Sequence, residues 1–135
     1  MSDKVFLDTN VLVYSYSNSE TEKQSIARKL ITDNNSYIST QVLQELTNTA
    51  TRKLSFSFPQ AENAILECIK NNILHSNTVL TIKDACRIAE KYSFSFYDSL
   101  IIAAALECDC PILYSEDMSH NQIIDGKMKI INPFR

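Results

Sequence analysis

The run Leu100 to Leu106, LIIAAAL, contains no polar side chain, and it sits inside the stretch SFSFYDSLIIAAALE at residues 93–107. A helix that is apolar all round must be covered on every side, so 96–107 is expected to be a core helix. Any fold open to this chain has to enclose it. Asp98 leads the run, three residues after Ser95. That spacing suits a cap at a helix start, and an acid there complements the positive end of the helix dipole. Asp98 could cap a buried helix or form one wall of an active site, and the rest of the chain has to decide which.

Around that helix, short apolar runs alternate with helical periodicities. KVFL at 4–7 has β-type residues, ends at Asp8 and reads as a first strand. Thr9 to Ser15 predicts a brief helical turn. Ser19 and Glu22 have capping-box spacing ahead of a helix with Ile26, Ala27, Leu30 and Ile31 on one face. Asp33, Asn34 and Asn35 stop it. Residues 37–39 read as a second strand, with Thr40 as cap of a helix over 41–54 that turns Val42, Leu43, Leu46 and Ala50 inward. SFSFP at 55–59 breaks that helix, because Pro59 disfavours helical geometry in the residue before it. A helix over about 60–71 follows, with Ala61, Ala64, Ile65, Cys68 and Ile69 inward, and 72–80 reads either as a short strand or as none. Residues 81–92 predict a helix with Ile82, Ala85, Ile88 and Ala89 on one face, and 112–114 and 128–131 predict short strands. This alternation is the signature of an α/β fold with a parallel sheet buried on both faces.

The bulk numbers narrow the function classes. A chain of 135 residues with 44% apolar content supports one core, so 1–135 is expected to be a single domain. Gly126 is the only glycine, which excludes a Walker A loop and a G-x-G-x-x-G turn, since both need several glycines for close approach to phosphate. A net charge of −3 gives no overall basic field, so contact with nucleic acid would need a local patch. The N-terminus carries no basic region before an apolar segment, and no stretch reaches the roughly 18 apolar residues of a membrane span, so a cytoplasmic location is expected. Cys68, Cys86, Cys108 and Cys110 are spaced neither as zinc knuckles nor as a disulfide framework and read as buried free thiols. Cys108 and Cys110 with His120 make a poor tetrahedral signature.

In an open parallel sheet, ligands bind beyond the carboxyl ends of the strands. Asp8 ends the first strand, Asp117 lies just past the 112–114 strand, Asp98 opens a helix leading into it, and Glu45 follows the second strand by one helical turn. Each also has a local reading: Asp98 and Asp8 as caps, Glu45 as a solvated helix residue, Asp117 as an ordinary loop acid. If the four meet, like charges about 4 Å apart repel by about 4 kcal/mol per pair at an effective dielectric of about 20. Protons or a divalent cation must then neutralise them. An oxygen-only site suits Mg²⁺ or Mn²⁺ rather than zinc.

The segments VFLDTNVL, ISTQVLQEL and YDSLIIAAALECDCPILYSEDM, in this order, resemble a PIN domain along the whole chain. The resemblance implies a three-layer α/β/α nuclease with a central parallel sheet of short strands. It carries the family's metal-binding and catalytic acids onto Asp8, Glu45, Asp98 and Asp117, and its supporting polar positions onto Asn10 and Ser115, with Glu116 able to share the role of Asp117. The small size and the ending LYSEDMSHNQIIDGKMKIINPF are most similar to VapC-type toxins of toxin–antitoxin pairs, with Asn121 standing where those members often have a glycine after the histidine. The same resemblance implies Mg²⁺- or Mn²⁺-dependent hydrolysis of RNA phosphodiester bonds, an RNA substrate, a small antitoxin partner and a homodimer. Asp8, Asp98 and Asp117 would hold the cation, and Glu45 would orient the attacking water or bind a second ion. Arg52 and Lys53, and further off Lys127 or Lys129, are phosphate-contact candidates, each of which also reads as solvated surface charge. Tyr14, Tyr16, Phe56 and Phe58 read as core or interface residues or as base-stacking platforms, and Leu54, Phe56 and Phe58 as an exposed apolar clip toward a partner. Two other readings stay open. One is a PIN-like interaction module without catalysis; the other is a metal-dependent phosphatase with Asp8 as nucleophile, although D-T-N lacks the second acid such enzymes use.

Overall fold

In β1 (Lys4–Leu7), Val5, Phe6 and Leu7 are all buried. Successive strand residues point to opposite faces, so both faces of this strand are covered and it belongs to a middle layer. The structure, a computed structural model, describes residues 3–135. After β1 come α1 (Thr9–Ser15), α2 (Thr21–Asp33), β2 (Asn35–Ser39), α3 (Thr40–Lys53), α4 (Phe58–Asn71) and β3 (Ile73–His75). The second half holds α5 (Val79–Tyr92), α6 (Phe96–Glu107), β4 (Ile112–Tyr114), β5 (Ile123–Ile124) and β6 (Met128–Ile131). The strands form one sheet in the order β3-β2-β1-β4-β6-β5, parallel except for β5, which pairs antiparallel with β6. Helices flank this sheet, and α6 is buried without a break from Ser99 to Ala105, as its apolar run requires. Among the described residues no helix is long and apolar enough to cross a membrane.

Several local expectations are corrected. The Ser19–Glu22 capping box does not form. The buried Ser17 hydroxyl instead accepts the Ser19 and Glu20 amides, and α2 starts at Thr21, one residue later than the box would place it. α3 is capped by Ser39 rather than Thr40, its hydroxyl accepting from the Val42 amide at 3.3 Å. α4 begins at Phe58, where Ser57 and Gln60 make a reciprocal capping box with Pro59 in the first turn, a position that lacks an intrahelical donor requirement. α5 is capped in the same way by Thr78 with Thr81. That cap buries Thr81 and rotates the inward stripe to Thr81, Ala85 and Ile88, which leaves Ile82 exposed. Ile69 is likewise exposed on α4. Of the cysteines, Cys68 and Cys110 are buried and Cys108 is half-buried, but Cys86 faces solvent on α5 next to the buried Ala85.

Candidate active site

The chain order reverses direction across the sheet between β1 and β4, and this switch point opens a crevice at the carboxyl ends of the strands. Leu7 pairs with Tyr114 in the register, so the next residues, Asp8 and Ser115, arrive side by side. The Asp8 amide donates to the Tyr114 carbonyl at 3.0 Å, and the Ser115 hydroxyl donates to Asp8 Oδ2 at 2.7 Å. Asp8 Oδ1 accepts from the Thr9 amide at 2.7 Å, which makes Asp8 the N-cap of α1 as well. Both carboxylate oxygens are therefore fixed, on a residue only 8% exposed. Burial is the main reason its pKa rises from 3.8 to about 6. The hydrogen bonds from Ser115 and Thr9 pull the other way, and the charges of Glu45 and Asp98 add to the rise.

Glu45 enters from the second turn of α3. Its Oε1 accepts from the Thr9 hydroxyl at 2.5 Å, and its Oε2 lies 3.4 Å from the Gln41 amide nitrogen, which also donates to the Tyr97 carbonyl at 3.1 Å. Gln41 thus joins α3 to the start of α6. Asp98 stands in the first turn of α6, its amide capped by the Ser95 hydroxyl at 3.2 Å. Burial pushes the Asp98 carboxyl above the ordinary range against its hydrogen bonding with Ser95, and the charge of Asp117 adds to the rise. Asp117 accepts from Asn10 Nδ2 at 3.1 Å, while Asn10 Oδ1 receives the Glu116 amide at 3.4 Å.

Asp8, Glu45, Asp98, Glu116 and Asp117 all line one open cleft of about 540 Å³, together with Thr9, Asn10, Tyr14, Asn48, Thr49 and Lys53. The expected site residues therefore share one cavity, Asn10 and Ser115 bonded to its acids. Arg52 lies outside its lining, whereas Lys53 reaches it. Lys129 pairs with Ile112 at the start of β4, and Lys127 lines a separate cavity beside Cys110 and Pro111, so both lie at the opposite end of the strands from the acids. His120 accepts the Asn132 amide at 2.9 Å and anchors the C-terminal segment. Tyr16 is tied to Glu67 and the Ala64 carbonyl away from the acids. Of the expected clip, Leu54 and Phe56 are half-buried and Phe58 alone stands out, 73% exposed.

Three residues that frame the acids carried no signal of their own in the sequence: Thr9, Gln41 and Lys23. Lys23 Nζ lies 2.6 Å from Glu116 Oε2, and Tyr14 donates to Glu116 Oε1 at 2.6 Å. Burial raises the Glu116 carboxyl, but the bonds from Lys23 and Tyr14 outweigh it and hold the group below the ordinary carboxylate range. A second cavity, of about 560 Å³ between α1, α2 and α4, is lined by Arg28, Glu67, Cys68 and Asn72 among others and lacks any such gathering of acids.

Among the described residues, no three His, Cys, Asp or Glu side chains converge closely enough to hold a metal ion by themselves. The donor set nonetheless fits Mg²⁺ or Mn²⁺, because it is all oxygen and its buried acid resists ionising alone. Mg²⁺ ordinarily takes one or two carboxylates and completes its shell with water and substrate phosphate.

The PIN domain family model matches residues 5–124. Among curated proteins none matches the chain in sequence. Among solved structures, VapC20 of Mycobacterium tuberculosis, described as a sarcin-ricin loop cleaving toxin, is similar with a TM-score of 0.67 at 16% identity, over 84% of this chain and 89% of that one. A toxin–antitoxin complex from Klebsiella pneumoniae gives 0.72 at 15% identity, over 96% of this chain and 97% of that one. VapBC2 from Rickettsia felis, bound to a DNA fragment from its promoter, gives 0.68 at 16% identity, over 94% and 96%. At these identities the likeness is one of fold.

Proposed function

The chain belongs to the PIN domain family, and from that premise we propose that it is a divalent-cation-dependent endoribonuclease, the toxin of a toxin–antitoxin pair acting in the cytoplasm. The observation that carries this reading is the convergence of acids from four separate segments on one cleft at the carboxyl edge of the sheet. A divalent cation held by Asp8, Asp98 and Asp117 would supply charge to offset that on the phosphoryl oxygens and to acidify the attacking water. Asp8 is kept rigid for this by Ser115 and Thr9, and Asp98 by the buried helix behind it. Glu45, held by Thr9 and Gln41, is a fixed acceptor that orients water toward phosphorus as the bond to the leaving oxygen breaks. Lys53 reaches the cleft without an ion-pair partner among the described residues and would meet a substrate phosphate, with Arg52 beside it along the strand of RNA. The relatives described as toxin–antitoxin complexes support an antitoxin partner here, and we include a homodimer in the same proposal.

The test is cleavage of an RNA panel by the purified chain in Mg²⁺, Mn²⁺ or EDTA, beside Asp8→Asn and Asp98→Asn. Cutting only with added cation, lowered by about 100-fold or more in both variants, is expected. Equal cutting by all three proteins would mean a contaminating nuclease and would sink the assignment. The lack of a ready three-carboxylate cage among the described residues favours one rival, a PIN module that binds a partner without catalysis. Calorimetry separates the two, since the module predicts neither Mn²⁺ uptake nor cleavage.

A further inference from the structure

Glu116 and Asp117 are adjacent acids on the loop after β4, and both line the cleft. Their surroundings differ. Both oxygens of Glu116 are engaged, Oε1 by the Tyr14 hydroxyl and Oε2 by Lys23 Nζ, each at 2.6 Å. Tyr14 comes from α1 and Lys23 from α2, so two elements converge on one side chain. Lys23 also lies over the Tyr14 ring at 4.7 Å and the Phe134 ring at 5.7 Å, and those rings meet edge to face. Among the described residues it is the one cation ion-paired to an acid of the cleft. Among the described residues Asp117 accepts only the neutral Asn10 amide, which positions it without neutralising it.

We propose that Lys23 and Tyr14 brace Glu116 out of the cation site, so that Asp117 alone serves it from this loop and Lys23 is a positioning residue for the reaction. The inference rests on the nuclease reading above. Without Lys23, Glu116 keeps only the Tyr14 hydroxyl, which carries no charge to offset its own, and a cation in the cleft then competes for its released oxygen. An added carboxylate ligand tightens cation binding, because affinity follows the ligand charge count. The same added ligand displaces the water and phosphate that the reaction needs in the cation's shell, so turnover falls.

The test uses the full chain as wild type, Lys23→Met, Lys23→Arg and the double variant Lys23→Met/Glu116→Gln. Met keeps the aliphatic stem over the two rings. Mn²⁺ affinity is read by calorimetry and RNA cleavage by steady-state kinetics. The brace predicts that Lys23→Met binds Mn²⁺ about threefold tighter or more, with kcat down about fivefold or more and KM within about twofold of wild type. Lys23→Arg restores both quantities, and adding Glu116→Gln cancels the gain in affinity. A raised KM at wild-type kcat makes Lys23 a substrate contact and overturns the brace. A lower Tm with wild-type Mn²⁺ affinity and kcat does the same. A wild type that takes up no Mn²⁺ and cuts no RNA overturns the nuclease reading itself, and the brace with it.

Discussion

Ionising Asp8 in the folded chain works against folding. Its carboxyl rises from 3.8 to about 6 on burial, so the native state holds the proton more tightly than the unfolded chain does. The acid is therefore neutral for both states below pH 3.8 and destabilising by about 3 kcal/mol once the pH is above both values. In EDTA, the stability of Asp8→Asn relative to wild type should rise by about 1.5 kcal/mol between about pH 5 and about pH 7.5 in urea unfolding, on top of a constant cost for the acceptor oxygen that Ser115 or Thr9 loses. A difference that does not move with pH, or that moves the other way, would contradict this account of the site. The four acids were legible in the sequence because each marks the end of an element or one turn beyond it. Their partners were not. Thr9 reaches Glu45 across 36 positions and Lys23 reaches Glu116 across 93, and no periodicity links residues so far apart. The Asn10 contact with Asp117 spans 107 positions; the family resemblance gave Asn10 a supporting place among the acids without saying which of them it meets.

At the level of elements, helix interiors were easier to read than their ends. The periodic faces of α3 and the unbroken burial of α6 follow from apolar spacing, because burial there is decided by many residues at once. Caps turn on a single hydroxyl. Ser17 displaced the box expected at Ser19, and Ser39 the cap expected at Thr40, since tertiary position chose among neighbouring hydroxyls. The two-residue β5 is too short to show alternation and forms because β6 lies beside it. Left-handed backbone marks the tight connections. Asn121 has φ 71°, a conformation asparagine tolerates better than most residues. Ser93, with φ 62°, ends α5 and its amide returns to the Ala89 carbonyl at 2.9 Å. Ser93→Gly removes the Cβ penalty without losing that bond, so a gain of about 0.5–1 kcal/mol in unfolding free energy is expected. A loss of stability would show that the Ser93 side chain contributes more than the turn demands of it.

Taken as a whole molecule, the fold is a device for bringing distant acids to one edge. The parallel register of β1 with β4 delivers Asp8 and Ser115 together, β2 hands its chain to the helix that carries Glu45, and the buried α6 aims Asp98 from behind. The parallel α/β class was legible because strands and helices alternate along the chain. The strand order was not, since the placement of β4 between β1 and β6 depends on crossovers that leave no mark in local sequence. Asp98 proves to be a helix residue and a cleft residue at once: Ser95 caps its amide while its carboxyl faces the charge of Asp117. The most direct check on the central claim is anomalous diffraction from crystals of the full chain soaked in MnCl₂. The account predicts a manganese peak in the acidic cleft, coordinated by Asp8 and at least one of Asp98 and Asp117, and absent from Asp8→Asn crystals. A cleft without such a peak in wild-type crystals, or a peak that persists unchanged in Asp8→Asn, would contradict it.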